Sequence, residues 1–279
     1  MFFGSNNNFA RTSINRGSGI TFGTAWTTKA TTSASRGSWA GSAGSASEAF
    51  VFAGYSGAAL DSSEEYNGTS WSSGGTLGTA HFHTTGFGTQ SSAVKAGGNS
   101  ASNVVEEYNG TSWSVGGSLS TGRGQHNGAG SSISSGVVFG GYSGGRLSDS
   151  EEYNGTSWSA GGSLSIARHG LGGGGIITDA MAIGGHQGPA MDETDSYNGT
   201  SWTNEALMNN TGFGAAGHGG QSTGLRSGNS TNTESYDGVS WSTENALNTA
   251  RTNHGAVGDA VSAFVMNGNS GSTSSEEWA

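Results

Sequence analysis

Residues 63–75 read SEEYNGTSWSSGG, and the chain repeats this phrase almost verbatim. Copies occur as VEEYNGTSWSVGG at 105–117, SEEYNGTSWSAGG at 150–162, TDSYNGTSWTNEA at 194–206 and ESYDGVSWSTENA at 234–246. The aromatic residue of each copy falls at Tyr66, Tyr108, Tyr153, Tyr197 and Tyr236, and Trp278 holds the place in a terminal SEEWA. The steps between them are 42, 45, 44, 39 and 42 residues. A second aromatic series, Trp26, Trp71, Trp113, Trp158, Trp202 and Trp241, advances by 45, 42, 45, 44 and 39. Repeats of this length mark architectures that stack one supersecondary unit many times.

Each unit is built of short β segments. After the tryptophan come a polar turn and a leucine (Leu77, Leu119, Leu164, Leu207, Leu247). A basic residue follows about ten positions after the tryptophan, at Arg36, His81, Arg123, Arg168 and Arg251; the fifth unit has NNTGF there instead. Next come apolar runs such as AFVFAGY, GVVFGGY and AMAIGGH, too short for stable helices and bounded by glycine. Asn-Gly between Tyr and Thr is a strong hairpin signal and suits a type I′ turn. With Asn67 and Gly68 as the central residues, Tyr66 would face Thr69 and Glu64 would face Trp71, placing Glu64, Tyr66 and Trp71 on one face. Four short strands in each unit of about 40–50 residues are the signature of a propeller blade.

The two aromatic series are offset, and the offset predicts how the ring closes. The chain opens with an extra outer strand, ITFGTAW, carrying Trp26, and ends at Trp278 with no strand after it. The expected fold is an all-β, six-bladed β-propeller over residues 20–279, its last blade completed by the N-terminal strand. Closure of this kind leaves only short, protected edges.

Several residue sets resemble those of the kelch family. There a Gly-Gly pair ends the second strand, a Tyr and a Trp follow, and a basic residue opens the next unit. Here these are Gly97-Gly98, Gly140-Gly141 and Gly184-Gly185, then the Tyr and Trp series, then the Arg/His series. The chain departs from that pattern in its short Tyr-to-Trp gap and in the replacement of three Gly-Gly pairs by AG, SG and NG. The resemblance implies a kelch-like blade and carries no partner with it.

Composition limits the function classes. Of 279 residues, 53 are Gly, one is Pro and none is Cys; 11% are charged and the net charge is −10. Ten scattered basic residues do not make a nucleic-acid surface, and the acidic balance disfavours anionic membranes. No apolar run approaches the ~20 residues of a membrane span, and the first residues are not read as a signal peptide. Without cysteine, disulfides and thiolate metal sites are excluded, as is the Cys-Tyr cofactor of some propeller oxidases. YNGTSW lacks the S-x-D-x-G-x-x-W spacing of sialidase-like propellers. GLGGGG at 170–175 lacks the Lys-Ser/Thr of a phosphate loop. The expectation is a non-enzymatic protein with no cofactor; the weaker alternative is a hydrolase acting on surface polysaccharide, for which the sequence offers no acid/base pair.

The remaining candidates have two readings each. The recurrent acid (Glu64, Glu106, Glu151, Asp195, Glu234, Glu276) could form a metal-binding ring, or make an ion pair or hydrogen bond to a neighbouring strand, the Arg of an adjacent blade being one such partner. Residues spaced around a ring are too far apart to share one ion, which favours pairing. His81 and His83, in HFH, could hold a metal from one face of a strand, or line the propeller opening with His126, His169, His186, His218 and His254. YNGT matches the N-glycosylation sequon at Asn67, Asn109, Asn154 and Asn198, as a by-product of the turn.

Near-identical EEYNGTSW units and a Gly/Ser/Thr/Asn-rich, cysteine-free composition resemble the propellers of aquatic bacteriophages. The resemblance implies a virion structural protein, part of a tail fibre or a capsid decoration. Residues 1–19 would then dock on other virion proteins, with Phe2, Phe3 and Phe9 as anchors. The loops GYSGAALDSS, GYSGGRLSDS and GHQGPAMDET vary between units and would carry recognition of a host-surface glycan; an oligomer is compatible with either role.

Overall fold

The structure, a computed structural model, describes residues 22–269 and 272–279. Six four-stranded antiparallel sheets form the blades of a β-propeller. The first five span residues 41–73, 85–115, 127–163, 172–204 and 216–243. The sixth contains Gly255–Gly258, Ala263–Met266 and Ser275–Trp278, and the strand Trp26–Lys29 completes it. The first strand of each blade lies innermost, and these six strands neighbour one another in a closed ring. Glycine makes this approach possible: a Cβ on Gly217 would lie 2.7 Å from the backbone nitrogen of Gly173.

The N-terminal strand closes the ring. Trp26 pairs with Trp278 and Lys29 with Ser275 in antiparallel register. The strand begins at Trp26 rather than ending there, a correction to the reading of ITFGTAW. Residues 23–25 instead bond to the loop at Ala260 and to the last residue, the Thr24 amide donating to the Ala279 carbonyl at 2.9 Å.

The phrase 63–75 is an outer hairpin, but its register differs from the two-residue Asn-Gly expectation. Tyr66 pairs with Trp71 and Glu64 with Ser73. Of the turn residues only Gly68 has positive φ, at 88°, so the central pair is Gly68-Thr69, with glycine first as in a type II′ turn. The Asn67 side chain explains the shift: its Oδ1 accepts from the Thr69 and Ser70 amides at 3.0 and 2.9 Å. Asn109, Asn154, Asn198 and Asp237 do the same in their blades.

Tyrosine and tryptophan of one blade pack on the preceding one, producing one apolar core per interface. Phe50 and Phe52 of blade 1 meet Tyr108 and Trp113 of blade 2. Equivalent clusters hold Tyr153 and Trp158, Tyr197 and Trp202, and Tyr236 and Trp241. Trp26 and Trp278 fill the blade 5–6 interface, and Tyr66 and Trp71 the blade 6–1 interface. Most polar tips are satisfied across the same boundary, whereas Tyr66 Oη and Trp278 Nε1 donate within their own blades and Trp113 Nε1 has no partner among the described residues. Tyr108 Oη donates to Glu65 at 2.6 Å, Tyr153 to Glu107 and Tyr197 to Glu152. Trp241 Nε1 donates to Thr194 Oγ1 at 3.1 Å and Trp26 Nε1 to Thr233 Oγ1 at 3.0 Å.

In four blades a buried ion pair ties the connector to the blade. Arg36–Glu64 (3.0 Å), Arg123–Glu151 (2.8 Å), Arg168–Asp195 (2.8 Å) and Arg251–Glu276 (2.8 Å) join the connector entering a blade to that blade's own third strand, not to an adjacent blade. The three glutamates also accept connector amides, as Glu64 does from Ser33 and Ala34, whereas Asp195 accepts from the Ser165 hydroxyl. Two blades lack the connector arginine, and there the cation sits on the second strand, opposite the acid. Arg226 pairs with Glu234 at 3.4 Å in blade 5, and Lys95 is in register with Glu106 in blade 2. At that register the other blades carry Val51, Val138, Ala182 and Val265. In blade 5 the connector position is Gly212, whose added Cβ would lie 3.2 Å from Arg226 Nη2. The same blade shifts its buried apolar residue from Leu207, 56% exposed, to Met208, 4% exposed.

Candidate functional site: the connector face

The connectors meet at one end of the central axis. Two positions after the connector site of Arg36, His81, Arg123, Arg168, Gly212 and Arg251 the backbone turns left-handed: Ser38 and Trp39, His83, Gln125, Gly170, Gly214 and Asn253 all have φ between 52° and 70°. Blade 1 uses two residues because its connector is one longer. These residues form a closed circuit of backbone hydrogen bonds. His83 N donates to Ser38 O (2.9 Å), Gln125 N to His83 O (3.0 Å) and Gly170 N to Gln125 O (2.8 Å). Gly214 N donates to Gly170 O (2.9 Å), Asn253 N to Gly214 O (2.7 Å) and Trp39 N to Asn253 O (3.0 Å). The circuit separates an axial cavity of about 120 Å³, lined largely by glycine of the inner strands, from the connector face.

On that face an aromatic and imidazole cluster surrounds the axis. Phe213 meets Trp39 (5.6 Å), His169 (5.9 Å) and His186 (5.2 Å) edge-on or tilted, and Trp39 meets His83 at 5.1 Å. Beside it opens a pocket of about 550 Å³. Its wall comprises His83, Asn99, Ser100, Gln125, Tyr142 and His169. Tyr142 is 45% exposed and packs its ring edge-on to His169 at 5.7 Å. The size falls within the usual range for small-ligand sites.

The structure takes HFH apart. Residues 81–83 form no strand; His81 is buried against Lys95 Nζ at 2.8 Å, whereas His83 turns to Trp39. GLGGGG overlaps the inner strand Gly172–Ile176 of blade 4. Among the described residues no group of three or more His, Asp and Glu is arranged to hold a metal ion. His218 and His254 flank Ser227 Oγ at 3.1 and 3.3 Å, buried between blades 5 and 6. Phe2, Phe3 and Phe9, with the rest of 1–19, lie outside the described residues. Sequence reasoning missed the pocket, because its wall comes from three connectors and two loops that share no motif. It also missed Glu65, Glu107 and Glu152, the acids that receive the tyrosine hydroxyls.

Burial holds most of the imidazoles neutral. It lowers His81 to about 4, helped by Lys95, and His83 to about 4, helped by His169. His218 is lowered to about 4, and His126 and His254 fall well below the ordinary value. An unfolded imidazole titrates near 6.5. Below that pH the unfolded chain takes up protons that the folded chain refuses, so stability falls as pH drops from about 6.5 toward 4. Each such histidine contributes up to about 1.4 kcal/mol per pH unit in that window. The melting temperature should therefore decline steeply between pH 6.5 and 4, and a flat profile would contradict this burial.

No protein-family model matches the chain, and no curated protein matches it.

Proposed function

We propose that this chain is a non-enzymatic attachment protein of a bacteriophage particle, holding a host-surface glycan in the connector-face pocket. The observation that supports it best is the pocket wall. Tyr142 presents an aromatic surface for the apolar face of a sugar ring, while Asn99, Ser100, Gln125 and two neutral imidazoles offer donors and acceptors for hydroxyls. The wall also lies on connectors and inter-strand loops, whose side chains differ from blade to blade on a common ring. The particle half of the reading is supported by the near-identity of the kelch-like units and the phage-like composition. Residues 1–19 would then bind other virion proteins.

The test separates the two halves. On a glycan array the full chain should bind a defined sugar set, and Tyr142→Ala should weaken that binding at least about tenfold with an unchanged melting temperature, since the side chain is largely outside the core. A chain lacking residues 1–19 should keep glycan binding and lose incorporation into particles. An empty array would leave a decoration role alone; normal incorporation of the truncated chain would remove the docking role.

A further inference from the structure

We propose that the pocket is built for an anionic sugar, and that Arg146, on the loop whose Tyr142 and Gly144 line it, receives the acidic group. This rests on the glycan reading above and names the ligand class.

Three blades carry the same loop between second and third strands: 54-GYSGAAL-60, 141-GYSGGRL-147 and 185-GHQGPAM-191. The three fold alike. Tyr55 bridges Ala59, Tyr142 bridges Arg146 and His186 bridges Ala190. The tight turns match too, with Ser56 N donating to Ala58 O, Ser143 N to Gly145 O and Gln187 N to Pro189 O. At one register, then, two blades carry alanine and blade 3 carries arginine. The fold does not need that side chain, because the same loop forms without it. It stands in the loop whose Tyr142 and Gly144 line the pocket.

The charge inventory singles out the same residue. The chain has ten Lys and Arg, of which Arg11 and Arg16 lie outside the described residues. Arg36, Arg123, Arg168, Arg226 and Arg251 are buried on carboxylates, and Lys29 is held by Glu277. Lys95 is buried against His81. Among the described residues Arg146 is the one exposed cation without an ion-pair partner, in a chain of net charge −10. Its charge reaches the pocket: together with burial and His186, it lowers the proton affinity of His169. His83, held neutral, adds no second charge. A guanidinium fork receives a carboxylate or a sulfate ester through paired charge-assisted hydrogen bonds, and either group on a sugar would serve.

The experiment measures affinity of the full chain for matched oligosaccharides: a uronate-bearing one, its carboxyl-reduced neutral counterpart, and a sulfated counterpart. The wild type should favour an acidic member by about tenfold or more, and that preference should shrink in high salt. Arg146→Ala, which installs the residue of blades 1 and 4, should bind acidic and neutral members alike, with neutral binding unchanged. The favoured acidic member identifies carboxylate or sulfate as the source. Equal wild-type affinity for acidic and neutral sugars, or a preference that survives Arg146→Ala, would overturn the assignment while leaving the glycan reading intact. Absence of binding to all three overturns both.

Discussion

A chain that begins at Ala30 should lose the native ring. It lacks the strand Trp26–Lys29, which supplies the entire outer edge of blade 6. Its removal strips Trp26 from the cluster holding Leu225, Leu247 and Trp278, and leaves the strand Ser275–Trp278 as an open edge. Trp26→Ala alone should cost about 3–5 kcal/mol. At roughly 2–4 °C per kcal/mol for domains somewhat smaller than this one, that is a lowering of order ten degrees. The full deletion should go further, because an unpaired edge strand also invites association between chains. Calorimetry and light scattering would report both effects. Removal of residues 1–19 is the control and should leave melting unchanged. A chain starting at Ala30 that melts like the intact protein would refute closure by this strand.

The second large effect concerns the cation exchange between blades. Arg226→Val, installing the residue found opposite the acid in blades 1, 3 and 6, should destabilise by about 3–5 kcal/mol, because it strands Glu234 buried without its guanidinium. Adding Gly212→Arg should restore most of the loss by returning blade 5 to the pattern of its neighbours. The space exists, since a side chain at 212 points to where the Arg226 guanidinium now sits. Denaturant unfolding of the two single variants and the double variant forms a closed cycle. Strictly additive single effects would mean that the two positions do not serve the same carboxylate.

The architecture was legible because aromatic residues recur at blade spacing and because their two series are offset by one strand. Both facts follow from burial at blade interfaces, which demands a large side chain at the same place in each unit. The hairpin register was not legible, since Asn67 satisfies two amides with its side chain and so moves the turn one residue along. Blade 5 misled for a related reason: Leu207 and Met208 are adjacent and alike in hydropathy, and only packing distinguishes them. The moved cation could have been read from sequence, because Arg226 and Lys95 occur in the two blades without a connector arginine. The pocket could not, since its residues come from separate connectors and loops that meet only when neighbouring blades pack together. Arg146 carried a signal, as the odd residue in a loop that is otherwise repeated.

The circuit of six backbone hydrogen bonds at the axis has an electrostatic consequence. Its N–H to O=C links all run the same way around the ring, so their dipoles lie tangentially and cancel. A helix terminus aims its peptide dipoles along one line and offers an ion about half a charge; this annulus offers none along the axis. The circuit therefore adds no net dipole of its own beside the pocket. On the proposed reading, discrimination between a charged and an uncharged ligand would fall to side chains on the surrounding loops, where a single substitution could reset it without disturbing the scaffold beneath.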